Sequence, residues 1–135
     1  MRASFSAPRR RRLRNSAAVL GAVSVGHFLN DLLQAVVPAL YPILKGSLSL
    51  SFAQIGMIAL TYQVTASVLQ PVIGHFSDRR PMPYALPLGM ASTLLGMLLL
   101  SRAQTYALVL VAGMLVGLGS AVFHPEASRA ARLAS

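Results

Sequence analysis

Long apolar runs alternate with short polar breaks along the chain. The runs cover 16–44, 52–76, 84–101 and 106–128. Apolar segments of roughly 20 residues suffice to cross a hydrocarbon core about 30 Å thick, so the pattern predicts four transmembrane helices. The expected fold class is an all-α membrane protein. The first run is the longest, with thirty residues between Arg14 and Lys45. Pro38 and Pro42 lie in its outer third and predict a kink or an early end. Ser51 followed by Gln54 has the form of a capping box opening the second run. Pro71 is expected to bend that run. Tight turns are expected at 45–51, 77–83 and 102–105.

Polar positions inside the runs are few and patterned. His27, Asn30, Asp31 and Gln34 recur at i, i+3, i+4 and i+7, which puts them on one helix face. An ionisable side chain near mid-membrane costs about 2.5–3.5 kcal/mol on insertion scales, so Asp31 is expected to face a bundle interior or a water-filled path. Two readings stay open. The stripe either hydrogen-bonds to neighbouring helices, or Asp31 exchanges protons while His27, Asn30 and Gln34 line a substrate cavity. Gln63, Ser67, Gln70 and Gly74 form a second stripe, read as packing glue or as a cavity wall, with packing favoured for Ser67 and Gly74. Gly89, Thr93 and Gly96 read as close packing. Gly113 and Gly117 have small-residue packing spacing, and Ser120 and His124 continue that face. Glu126 stands three residues before Arg129 and either pairs with it or takes part in proton coupling. The cavity candidates are therefore His27, Asn30, Gln34, Gln63, Gln70 and His124. The proton-coupling candidates are Asp31 and Glu126.

Composition agrees with this class. Hydrophobic residues make up 55% of the 135 positions and charged residues only 11%, against about 25% in ordinary soluble domains. Without cysteine there are no disulfides and no thiolate metal ligands. The three histidines lie in three different segments without local ligand spacing, so no metal site is expected. Nor is any cofactor or enzymatic centre.

The net charge of +9 raises the question of nucleic-acid binding. The location of the charge argues against it. Six of the twelve basic residues (Arg2, Arg9, Arg10, Arg11, Arg12 and Arg14) precede the first apolar run, where they serve as a topology signal and attract anionic lipid. Residues 1–15 are expected to be a disordered cytoplasmic arm, and 16–135 a transmembrane bundle. A cleaved signal peptide does not fit, because the apolar run extends far beyond an h-region of about 7–15 residues. With the N-terminus inside, ten basic residues fall on the inner side and two, Lys45 and Arg102, on the outer. The positive-inside rule thus predicts both ends cytoplasmic.

The segment Gly74-His75-Phe76-Ser77-Asp78-Arg79-Arg80 resembles the signature loop of the major facilitator superfamily. Gly74, Phe76, Asp78 and Arg79 match it. The chain then departs, with Pro81-Met82-Pro83 where the family continues with glycine and further basic residues. Gly26 to Asp31, Arg80 to Tyr84 and Gly117 to Arg129 together look like the fosmidomycin-resistance branch of that superfamily. The resemblance covers about residues 22–135. It implies a proton-coupled exporter of the bacterial inner membrane with twelve helices in two six-helix halves, and a gating role for Gly74, Asp78, Arg79 and Arg80. Its expected partners are the lipid bilayer, protons, a small-molecule substrate and the missing C-terminal helices. The chain is then expected to be the N-terminal third of a transporter, not to transport alone. Two other readings remain at this point: a small four-span multidrug exporter acting as a homodimer, and a membrane anchor or assembly subunit.

Overall fold

The computed structural model describes residues 7–80 and 82–134, with side chains from residue 15 onward. All regular structure among them is helical: α1 (Ala7–Ala39), α2 (Tyr41–Ser47), α3 (Phe52–Arg79), α4 (Ala85–Ser101) and α5 (Tyr106–Ala134).

The apolar runs become helices, and their boundaries shift for identifiable reasons. The basic arm was expected to stay disordered through residue 15, but α1 already begins at Ala7. Pro8 falls in its first turn, where a missing N–H removes no helical bond, and arginine is a good helix former. Residues 1–6 of the arm lie outside the described residues. At the other end the 16–44 span is broken in two. α1, with Pro38 inside it, stops at Ala39, and the Leu40 N–H bonds back to the Val36 and Val37 carbonyls at 3.1 and 3.2 Å. α2 then restarts with Pro42 in its first turn. Ser49 takes a left-handed φ of 51° in the turn that follows, and the Leu50 N–H closes it on the Lys45 carbonyl at 3.0 Å.

The capping box forms. The Ser51 hydroxyl accepts from the Gln54 N–H at 3.2 Å, and the Gln54 side chain accepts from the Ser51 N–H at 2.8 Å. α3 runs through Pro71 and keeps going to Arg79. Residues 77–79, expected to be loop, are thus its last turn. Ser77 is buried and donates to the Gly74 carbonyl at 3.2 Å, which anchors that turn, and the Arg80 N–H caps it on Phe76 at 3.0 Å. α5 likewise runs through Pro125, past the expected end at 128.

Three stretches, Asn15–Ser47, Phe52–Arg79 and Tyr106–Ala134, are long and apolar enough to cross a membrane. α4 is shorter, with 17 residues. At 1.5 Å per residue it measures about 26 Å, close to the hydrocarbon thickness.

α5 is the central helix. Half of its most apolar window is buried, against 6% for the first span and 11% for α3. α1, α3 and α4 all pack on it. Small residues allow this. A Cβ on Gly117 would lie 2.7 Å from the Tyr62 carbonyl oxygen of α3, and one on Gly119 would lie 2.6 Å from the Gly89 carbonyl oxygen of α4. Between lipid-embedded helices no hydrophobic force drives association, so such close backbone approach supplies the packing energy. The larger apolar cluster of Val37, Leu44, Leu50, Ile58, Leu100, Val109, Ala112 and Val116 closes the end of the bundle near the α2–α3 turn.

Gly119→Val is therefore expected to overpack the α4–α5 contact at a cost of about 1–3 kcal/mol or more. Thermal unfolding in detergent would show it as a lowered midpoint. Gly21→Ala, with nothing within 4 Å of the added methyl, should leave the midpoint unchanged or raise it. Equal midpoints for Gly119→Val and the unaltered chain would contradict this packing.

Candidate functional site

Where α1 crosses α5, three titratable side chains meet. The Asp31 carboxylate lies with Oδ2 3.2 Å from His27 Nε2, one turn back on the same helix. Its Oδ1 is 3.8 Å from His124 Nε2 on α5. Gly26 allows the crossing: the Phe123 ring of α5 passes 3.3 Å from where its Cβ would be. Phe123 is buried, and its ring centroid lies 5.9 Å from that of His27. The two histidine rings meet edge to face at 5.1 Å.

The tautomer of His124 follows from its partner. Nδ1 is 3.1 Å from the Ser120 carbonyl oxygen, an atom that only accepts. Nδ1 therefore carries the hydrogen, and when the ring is neutral Nε2 presents a lone pair. That lone pair faces the carboxylate oxygen of Asp31. Two acceptors in this arrangement repel unless a proton or another cation stands between them.

The side chains of His27 and Asp31 are 44% and 50% exposed, so the group faces open space beside α1 and α5. A cavity of about 440 Å³ lies there, lined in part by Ser24, Phe28 and Ser128 together with His27 and Asp31.

The remaining stripe residues divide. Asn30 was expected on the cavity face, but it is completely buried and neither of its side-chain polar atoms has a partner. It follows Gly26 by four residues and turns about 100° away from Asp31, into the packed side of α1. Gln34 accepts a hydrogen bond from the Tyr62 hydroxyl of α3 at 2.5 Å, while its Nε2 is buried without a partner. Gln63 joins Gln34 and Tyr62 around a second hollow of about 360 Å³. Gln70 is exposed on α3, away from the three-residue cluster.

Glu126 is only 6% exposed, with Oε2 3.8 Å from Arg129, its expected pairing partner, and Oε1 buried without a partner. At the same end of the bundle Asp78 lies 3.9 Å from Arg132 of α5, both well exposed. A Cβ added at Gly74 would lie an ordinary 3.5 Å from the Pro125 side chain of α5. Arg79 and Arg80 are exposed at the end of α3.

Sequence reasoning did not single out Tyr62. Its only signal was a tyrosine at mid-span next to Gln63. No metal site was expected, because the histidines lack local ligand spacing; the fold nevertheless brings donor atoms of His27, Asp31 and His124 within 4.8 Å of one another.

A bundle of helices long and apolar enough to cross a membrane defines a polytopic membrane protein. The family model of the Major Facilitator Superfamily matches residues 23–134, and the chain belongs to that superfamily. It is 53% identical over 122 residues to the fosmidomycin resistance protein of Escherichia coli (strain K12), covering 90% of this chain and 30% of that protein. It is 49% identical over 117 residues to the uncharacterized MFS-type transporter YfnC of Bacillus subtilis (strain 168), covering 87% of this chain and 29% of that one. The chain thus spans about three-tenths of the length of these relatives. No solved structure matches it. The chain is a multi-pass membrane protein, and its superfamily moves small molecules rather than transforming them. Membership sets aside the reading as a small multidrug exporter of a separate class.

Tyr62→Phe is expected to cost about 1–2 kcal/mol, because the Gln34 amide then loses its one bond. Adding Gln34→Leu should recover most of that loss, since an apolar pair leaves nothing unsatisfied. Additive losses in unfolding measurements on the two single variants and the double variant would show that the pair is not coupled.

Proposed function

We propose that these helices form the first third of a longer proton-coupled exporter of the drug-efflux type, with Asp31 as the proton-exchanging group. One observation carries the reading. Asp31 is a carboxylate within an apolar stretch long enough to cross a membrane, half exposed on its helix and between two imidazoles from two helices. Such residues are rare in spans and concentrate on ion and proton pathways. His27 and His124 flank the carboxylate, and Gln34 and Gln63 contribute to the wall of the substrate path. Glu126, buried with a free oxygen, is a second proton-binding candidate.

The whole protein is placed by this proposal in the bacterial inner membrane, with the N-terminus of α1 and the C-terminus of α5 cytoplasmic. Supporting that orientation, Arg79, Arg80, Arg129 and Arg132 lie at the bundle end where α1 starts. At that end Asp78 and Arg132 form a gating contact between helix termini. The drug class comes from the name of the E. coli relative alone.

The test uses the protein encoded by the full reading frame, in inside-out vesicles. Asp31→Asn should lower drug-driven proton movement by at least about tenfold, or roughly 1.4 kcal/mol. His75→Asn, at an exposed position near the end of α3, should leave it unchanged. Unchanged proton-driven efflux in Asp31→Asn would remove Asp31 from the coupling role. A reading frame that closes at Ser135 would remove the longer exporter.

A further inference from the structure

We propose that His27, Asp31 and His124 form a binding site for a divalent transition-metal cation of the zinc class, joining α1 to α5. The inference does not rest on the transport reading. It rests on donor identity, spacing and orientation.

Two imidazoles and one carboxylate are a donor set that suits zinc, nickel, cobalt or copper. Magnesium and calcium prefer sites built of oxygen alone. Zinc bonds of about 2.0–2.2 Å in a tetrahedral shell place neighbouring donors roughly 3.4 Å apart. Here Asp31 meets His27 through Oδ2 at 3.2 Å and His124 through Oδ1 at 3.8 Å, and taking one donor atom from each residue, all three lie within 4.8 Å of one another. A side-chain rotation of about an ångström closes the set around one ion.

Orientation is the second, independent observation. Metal-ligating histidines commonly donate their other ring N–H to a carbonyl or carboxylate, which fixes the tautomer and aims the free nitrogen. The Ser120 carbonyl does this for His124, and the nitrogen it frees points at Asp31. The free lone pair and the carboxylate oxygen face each other with no donor between them, and a cation resolves that opposition directly. Three protein ligands leave a fourth position open, as in catalytic zinc sites. The 440 Å³ cavity beside His27 and Asp31 leaves room for a water to fill it.

The site also spans two helices. His27 and Asp31 alone are an i, i+4 chelate on one helix, while His124 comes from α5. A bound ion therefore ties the two helices together beside the Phe123 contact.

The test takes the untagged 135-residue chain in detergent micelles and titrates it with zinc chloride in a non-coordinating buffer, read by calorimetry. One equivalent per chain is expected. Asp31→Asn and His124→Ala should each weaken binding by more than about tenfold, beyond the loss seen when only an outer-shell partner is removed. His75→Ala should bind as the unaltered chain does, and circular dichroism checks that each variant keeps its helices. A second measurement needs no variant. Zinc should protect His27 and His124, but not His75, from diethyl pyrocarbonate, as mapped by mass spectrometry. The proposal is overturned if binding is not saturable, if it survives His124→Ala, or if His27 and His124 react no more slowly than His75 with zinc present. Because these measurements read binding alone, they hold or fail independently of Asp31→Asn transport.

Discussion

Close approach of helix backbones along α5 is the constraint on which the rest of the structure depends. Lipid tails are as apolar as leucine, so transmembrane helices gain little by hiding leucines from them. What holds them is contact, and contact needs small side chains. α5 supplies Ala112, Gly113, Gly117, Gly119 and Ala121, all buried. Gly117 brings α3 near and Gly119 brings α4 near. The α1 crossing uses the opposite device: the small residue, Gly26, is on α1, and the large ring, Phe123, is on α5. One turn of each helix from that point lie Asp31 and, adjacent to Phe123, His124. The polar cluster is thus a consequence of where Gly26 lets α5 in.

The same packing explains which surfaces stay open. α1 touches the bundle along a narrow strip, so Val25, Phe28 and Leu32 are exposed alongside Asp31. Apolar exposure of that kind is ordinary for a lipid-facing surface. A half-exposed carboxylate is not, because lipid offers it no partner. The face of α1 that carries Asp31 is therefore suited to water or to further protein, while the flanking apolar residues are suited to either lipid or protein.

Much of this was legible in the residues. Run length and flanking charge gave the helices, Ser51 and Gln54 marked a helix start, and Pro38 with Pro42 marked the break at Leu40. The i, i+3, i+4, i+7 stripe pointed to the α1 face around Asp31, where His27 and His124 meet the carboxylate. Its limit was angular resolution. A stripe of that width spans about 100°, so Asn30 and Asp31 belong to one pattern yet end up on the packed and the open side. Helix ends were harder still: the signature segment 74–80 reads as a loop by family likeness, but Ser77 finds the Gly74 carbonyl and extends the helix to Arg79. The meeting of His27 with His124 lay beyond reach. They are nearly a hundred positions apart in sequence, and only the crossing angle of α1 over α5 joins them.

Unmet polar demand is what remains when the packing is accounted for. Asn30 is buried with both polar atoms unpaired, Gln34 has an orphaned amide, and Glu126 has an orphaned carboxylate oxygen. A folded protein seldom leaves such groups without partners, since each costs about 1–3 kcal/mol and more if charged. Glu126 is the most costly of them if ionised, as Arg129 reaches only one of its oxygens at 3.8 Å. Asp31 and His124 differ in kind. Neither is fully buried, so what opposes them is a geometry in which two acceptors face each other, and a mobile cation relieves it reversibly.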